Sequence, residues 1–374
     1  LRAPKGKGKL WGGMFRLPPI LICLLLLTAT RLFGAGEWSL LKRDGRDYVT
    51  LDNVGQFYQL GPIQRTGNNL ILNTGNRSLR GQVGSPEFYI NNLKFVLSYP
   101  VAEINGRPSI SRMDLTKLLE PVLRPSRIQN FTKVDTVILD PGHGGQDNGA
   151  TSLFGSEKNY SLDVALRARE ILKNSGFRVI MTRTTDRFVP LEERATIASR
   201  YPNALFISIH FNSSGNDASG VETYTLAPRG VPSMATDGPA LSDLIPCPGN
   251  QRDAENIALA CAAHATLVYN SSMFDRGIKR ARFVVLRDNA TPGVLIEGGF
   301  LSNSNDARRI ATPMYRQQMA TSILQAVQNY RNAVGPRQSL PVASNNIPTA
   351  NPNSTGPVVI TSSQAQPVEK TAAP

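Results

Sequence analysis

Between residues 134 and 334 the chain alternates short apolar runs with segments of helical spacing, and that alternation restricts its fold more than any other feature. "VDTVILD", "FRVIMTR", "ALFISIHFN", "GVETYTL", "FVVLR" and "GVLIEGGF" read as strands. "SLDVALRAREILKNSG", "LEERATIASRY", "AENIALACAAHATLVYN" and a segment near 313–333 read as helices, the first closed by Gly176. Strands and helices in turn imply an α/β domain, a mostly parallel sheet with helices on both faces. Such sheets bind ligands where the strands end.

The chain of 374 residues has room for a second domain. Residues 37–120 hold short β-type runs ("DYVTL", "NLILNT", "EFYINNLKFVLSY") between Gly, Asn and Pro, which predicts a small β-rich α+β domain. "GRDYVTLDNVGQFY" and "GRPSISRMDLTKLL" echo each other, each passing from Gly-Arg through a β-type pair into a helical pattern. The echo resembles the hairpin-plus-helix repeat of amine-oxidase N-terminal-like domains. Residues 121–133 read as a linker. Residues 335–374, rich in Pro, Ser, Asn, Thr and Ala without period, read as a disordered tail.

Residues 1–36 contain "LPPILICLLLLTAT", 14 uncharged and mostly apolar residues. A membrane span needs about 20, so this is a signal-peptide core, with Gly34-Ala35-Gly36 as a cleavage site. Export to the periplasm or cell envelope is the expectation, with membrane contact only through this segment. Cys23 would leave with it; Cys247 and Cys261 remain and are read as separate thiols.

The net charge of +13 suggests a polyanionic partner, but its distribution argues against nucleic acid. Residues 134–334 carry 20 basic and 19 acidic side chains, against 13 and 8 in residues 37–133. The larger domain is nearly neutral. The smaller one is mildly basic and suits an anionic surface.

The chain has only 3 histidines, which makes "VILDPGHGGQDNGA" conspicuous: a buried strand gives way to His143 on a glycine-rich turn. His210 ends "LFISIH" and Glu297 ends "GVLIE", so three polar groups converge on one edge of a parallel sheet. Glu157, opening the first helix, faces the same edge. Two histidines and a carboxylate make a catalytic zinc set with a place left for water. A second carboxylate off the metal then serves as general base. Taken singly, His210 reads as a rim histidine and Glu157 as a helix N-terminal acid favoured by the dipole. Glu297 behind a buried strand needs a partner. His264 is assigned to packing within its helix, and Glu222 to a structural place on its strand.

Residues 134–334 are similar to the zinc-dependent N-acetylmuramoyl-L-alanine amidases of the amidase-3 family. The motifs that carry the resemblance are "ILDPGHGGQDNGA", "SEKNYSLDVALRAREIL", "VIMTRTTDRFVPLEERATIA", "FISIHFNSS", "GVETYTL", "DRGIKRARFVVLR" and "PGVLIEGGFLSN". The resemblance implies a three-layer α/β/α sandwich, zinc held by His143, Glu157 and His210, and Glu297 as catalytic base. The implied reaction cleaves the amide between N-acetylmuramic acid and L-alanine in peptidoglycan. Peptidoglycan is the expected partner, and an envelope activator protein is a candidate one. Two positions depart from the family pattern: Gly298 stands where a larger residue is common, and Phe211 where a smaller one is usual. Residues 227–250, where some members insert a regulatory helix, hold five prolines and read as a surface loop or partial lid.

Overall fold

The structure is a computed structural model that describes residues 38, 40–215, 217–234 and 240–334. The export segment and the C-terminal tail expected from the sequence lie outside the described residues. Among the described residues, no helix is long and apolar enough to cross a membrane.

The sequence echo corresponds to two hairpin-plus-helix units. In the first, β1 (Leu40–Arg43) and β2 (Arg46–Thr50) lead into α1 (Leu51–Tyr58). Next come β3 (Gln64–Thr66), β4 (Asn69–Thr74), β5 (Arg77–Gln82), β6 (Glu87–Ile90) and β7 (Leu93–Val96), an antiparallel meander. In the second unit, β8 (Ala102–Ile104) and β9 (Arg107–Ser111) lead into α2 (Arg112–Asp114), a π turn over Leu115–Leu119, and α3 (Glu120–Leu123). The hairpins turn at Asp44-Gly45 and Asn105-Gly106, all four residues at positive φ, as a two-residue type I′ turn requires. Thr50 and Ser111 cap the two helices, accepting from the backbone N–H of Asn53 and Asp114. β2 pairs with β9, so the units share one four-stranded sheet.

The second part of the chain supplies β10 (Thr136–Pro141), the short hairpin β11 (Thr151–Ser152) and β12 (Gly155–Ser156), and α4 (Glu157–Asn174). β13 (Arg178–Met181), α5 (Leu191–Ser199), β14 (Ala204–Asn212) and β15 (Val221–Leu226) follow. The chain then forms α6 (Asp253–Ser271), β16 (Asp275–Ala281), α7 (Val284–Arg287), β17 (Gly293–Phe300), α8 (Ser304–Ile310) and α9 (Pro313–Val334). These strands lie in the order β13-β10-β14-β17-β15-β16, all neighbours parallel except β15 with β17. Alternate side chains serve opposite faces. Val137 and Leu139 join the core that contains Val164 of α4 and Ile323 of α9, whereas Ile138 joins Ala198 of α5 and Val285 of α7. "FVVLR", expected as a strand, is instead α7 and its approach. The strand lies earlier, at β16, because Val285 and Leu286 are needed to cover Ile138 and Phe206. Short apolar runs do not distinguish the two states by period alone.

The meander does not stand apart from this sheet. β7 pairs with β16 at Phe95 and Ile278, extending it to 11 strands. Residues 121–133, expected as a linker, carry the end of α3 and a 3-10 turn at Pro125–Arg127, and the Thr132 N–H donates to Glu255 of α6 (2.6 Å). A buried ion pair fastens the same seam: Arg280 of β16 meets Asp114 at 3.2 Å, their side chains 2% and 0% exposed. Pro121 has no N–H to give to the Lys117 carbonyl, and Arg280 Nη2 donates to that oxygen instead (2.7 Å). Removing one member of such a pair strands the other charge. Arg280→Met should therefore cost about 3–5 kcal/mol in chemical denaturation. Asp114→Leu combined with Arg280→Met should recover part of that loss; a single variant of wild-type stability would show that the pair does not hold the seam.

Candidate active site

The parallel register of β10, β14 and β17 brings the predicted residues together. Pro141 pairs with Ile209, and His210 pairs with Glu297, so the end of β10 is level with these two residues, although β14 and β17 run on to Asn212 and Phe300. Glu157 reaches the same place because it opens α4 directly after the β11–β12 hairpin. Its backbone N–H and its side chain both engage the residue before that hairpin: the Glu157 N–H donates to Ala150 O, and the Ala150 N–H to Glu157 Oε2, each at 2.8 Å.

Glu157 Oε1 lies between the two imidazoles, 3.0 Å from His143 Nε2 and 2.8 Å from His210 Nδ1, and also accepts from the Phe211 N–H (3.0 Å). One ligand atom from each of His143, Glu157 and His210 lies within 4.8 Å of the others, so the three could hold one metal ion. Burial opposes ionisation of Glu157, but the two histidines outweigh it and hold its carboxyl far below the usual range. Burial likewise works against a charged His143, and the Glu157 and Asp147 carboxylates outweigh it and raise its pKa. Glycines make the cluster fit. A Cβ on Gly142 would overlap the His210 ring, and one on Gly149, at φ +63°, would sit 2.5 Å from Glu157 Oε2.

Asp147 is the residue the sequence reading missed. It accepts from His143 Nδ1 at 2.8 Å, which fixes the ring direction and turns Nε2 toward Glu157. Its signal was its place four residues after His143 in the quoted motif.

Glu297 is half-buried, and its buried Oε2 has no hydrogen-bond partner. Burial, followed by the nearby Glu157 and Glu222 charges, pushes its pKa well above the ordinary carboxylate range. A cation held by the neighbouring cluster would supply the missing counter-charge. Glu222 sits opposite Glu297 across β15–β17. It is bound by Arg276 (2.5 Å), Lys279 (2.6 Å), Tyr224 (2.8 Å) and Asn212 (3.2 Å), so its place is structural. His264 stands away from the site. It is fully buried in α6, and its ring nitrogens meet Thr223 Oγ1 (3.0 Å) and Asp275 Oδ1 (2.8 Å).

His143, His210 and Glu297 open into a cavity of about 600 Å³, walled by Phe188, Val189 and Leu191 on one side and Phe283, Val284 and Val285 on the other. That volume suits a small-molecule segment rather than a flat polymer surface. The described parts of residues 227–250 buttress its far wall: Arg282 Nη2 donates to the carbonyls of Pro228 and Asp243, both at 2.9 Å. These parts form only 3-10 turns, at Leu241–Leu244 and Pro248–Arg252. Cys247 and Cys261 are both free.

Residues 137–329 match the family described as N-acetylmuramoyl-L-alanine amidase. The chain belongs to the N-acetylmuramoyl-L-alanine amidase family. It is accordingly a peptidoglycan amidase, a hydrolase of the cell wall. The amidase AmiA of Escherichia coli K12 is 33% identical over 217 residues, covering 52% of this chain and 75% of that protein. The uncharacterised protein YqiI of Bacillus subtilis is 34% identical over 196 residues, covering 52% of this chain and 84% of that one. The crystal structure of an N-acetylmuramoyl-L-alanine amidase from Clostridium difficile 630 is 32% identical, covers 55% of this chain and 100% of that one, and has a TM-score of 0.45.

Gly298 and Phe211 share one space. A Cβ on Gly298 would overlap Met319 and lie 2.9 Å from Phe211 Cε1, so the bulk of Phe211 stands where Gly298 leaves room. Gly298→Ala should destabilise the amidase by about 1–3 kcal/mol through overpacking. Phe211→Ala should cost about 3–5 kcal/mol through the cavity it leaves. The double variant should fall short of the sum by at least about 0.5 kcal/mol, measured by chemical denaturation. Strict additivity would mean that the two positions do not compensate.

Proposed function

We propose that this amidase is a zinc enzyme in which His143, Glu157 and His210 hold the metal and Glu297 is the general base. The observation that carries this reading is Glu297: a buried carboxylate oxygen without a partner, level with a His/Glu/His cluster and opening into the same cavity. Two imidazoles and one carboxylate suit zinc and leave a coordination position open. Zinc bound there would polarise the scissile carbonyl and acidify water.

The chain's own residues do the remaining work. Glu297 takes the proton of the attacking water and delivers it to the departing amine of L-alanine. Asp147 holds the direction of the His143 ring. Phe283, Val285 and Leu295 line the cavity and exclude solvent around the amide. The sheet with α4, α6 and α9 on one face and α5 and α7 on the other is the three-layer α/β/α arrangement of this reading.

The cellular setting follows from the substrate. Peptidoglycan lies outside the cytoplasmic membrane, so we place the enzyme in the periplasm or cell envelope. The apolar segment within residues 1–36 serves as its export signal. Its role is wall remodelling or daughter-cell separation, with an envelope activator protein as candidate regulator. Residues 37–133, with 13 basic and 8 acidic side chains, favour an anionic wall surface.

Two variants separate the assigned roles. Glu297→Gln keeps shape but cannot accept a proton, so the rate on purified sacculi should fall at least about 10²- to 10⁴-fold while zinc content stays near one per chain. His143→Ala should lose the metal itself. Metal analysis alongside mass spectrometry of the released ends checks both; loss of zinc from Glu297→Gln equal to that from His143→Ala would make Glu297 a ligand instead. Chelation of the unsubstituted enzyme should abolish hydrolysis, and added zinc should restore it. Hydrolysis by the metal-free protein would refute the zinc reading.

A further inference from the structure

The stretch "VIMTRTTDRFVPLEERATIA" contributes no residue to the chemistry above, yet two of its arginines are buried beside it. Arg183 follows β13, Arg194 lies in α5, and they are 1% and 2% exposed. Between them they take every carbonyl of the turn Pro141-Gly142-His143. Arg183 donates to Pro141 O through Nε (3.0 Å) and to Gly142 O through Nη2 (2.7 Å). Arg194 donates to Pro141 O through Nη1 (2.7 Å) and to His143 O through Nη2 (2.8 Å). His143 has φ +58°, a conformation that a non-glycine residue keeps only where its surroundings fix it.

Arg183 reaches further. Its Nη2 also donates to Lys158 O (2.8 Å), in the first turn of α4 next to Glu157. One guanidinium thus touches the backbone that carries His143 and the backbone that carries Glu157. Arg194 is itself held by Asp140 (2.8 Å), which also accepts from Thr182 (2.6 Å) and Ser208 (2.7 Å).

We propose that Arg183 is a positioning residue that sets His143 and Glu157 at their mutual distance, while Arg194 locks the His143 backbone. This rests on the reading that His143, Glu157 and His210 bind the metal. The task needs arginine, because its planar fork presents several donors in fixed directions, whereas lysine offers a point charge on a flexible stem.

The test uses the full chain with cobalt(II) as a spectroscopic substitute for zinc. Arg183→Lys and Arg183→Met are compared for cobalt affinity, by chelator competition, and for the visible absorption of the bound ion. Arg183→Lys should keep its far-UV circular dichroism, lose about 10- to 100-fold in affinity and shift the cobalt spectrum. Arg280→Lys, equally buried but bound to Asp114 and Lys117, should lower the melting temperature and leave the spectrum unchanged. Wild-type affinity and spectrum in Arg183→Lys would overturn the proposal, as would an equal shift in Arg280→Lys. Should Arg183→Met fail to fold, Arg183→Lys alone decides. Failure of the unsubstituted protein to take cobalt would sink the metal reading, and this proposal with it.

Discussion

The site depends on how three neighbouring glutamates are charged. Burial disfavours ionisation of Glu157, Glu222 and Glu297 alike, and Glu297 also stands under the negative charge of the other two. What separates them is the cations at hand. Glu157 has two imidazoles, and Glu222 has Arg276 and Lys279, so both are held in the charged form. Glu297 has no such partner within hydrogen-bonding reach, and its pKa rises. Environments that push like groups apart are how one site obtains different chemical roles from the same residue type. A ligand must be ionised to bind a cation; a base must be able to gain and lose a proton.

β16 ties that electrostatic division to the rest of the fold. Lys279 and Arg280 are adjacent on it, so their side chains leave opposite faces of the strand. Lys279 neutralises Glu222, whereas Arg280 enters the seam with the N-terminal hairpin-plus-helix units and meets Asp114. The same strand pairs with β7 through Ile278. The N-terminal part therefore covers what would otherwise be the free edge of β16, the strand that supports Glu222. An exposed edge is a liability for a soluble domain. The meander closes it with backbone pairing, and the buried ion pair fixes where that pairing occurs.

Much of this was legible in the sequence because it depends on period and position. The alternation of β10, α4, β13, α5, β14 and β15 follows the pattern of apolar residues, and His143, His210 and Glu297 sit where the buried runs stop. Local chemistry also explains the two Gly-containing hairpin turns and the Thr50 and Ser111 caps. Other features depend on contacts far apart in the chain. Arg183 and Arg194 hold backbone carbonyls of the His143 turn 41 and 51 residues away, and no side-chain pattern marks a carbonyl. The joining of β7 to β16 is equally silent, since β7 alternates as any half-buried strand does. α7 misled for the opposite reason: its two valines have strand propensity, and packing over Ile138 and Phe206 overrode it.

The reversal of direction between β17 and β15 accounts for where the cavity lies. β15 runs antiparallel to β17, so Glu222 faces Glu297 at the site, while Leu226 lies at the far end of the sheet. Residues 227–250 leave β15 from that far end, and β16, parallel to β15, delivers Arg282 there as well. A segment starting so far from the His/Glu/His cluster is placed to support a wall, which is what the Arg282 bonds to Pro228 and Asp243 accomplish. The cavity can then extend from the strand ends over one sheet face, past Asp140 and Leu295, to Phe283 and Val285. A substrate amide lying at Glu297 would have its reacting end at the charged strand ends and its neighbouring groups along an apolar face. The geometry thus separates the imidazoles and carboxylates at the strand ends from the apolar wall of the cavity.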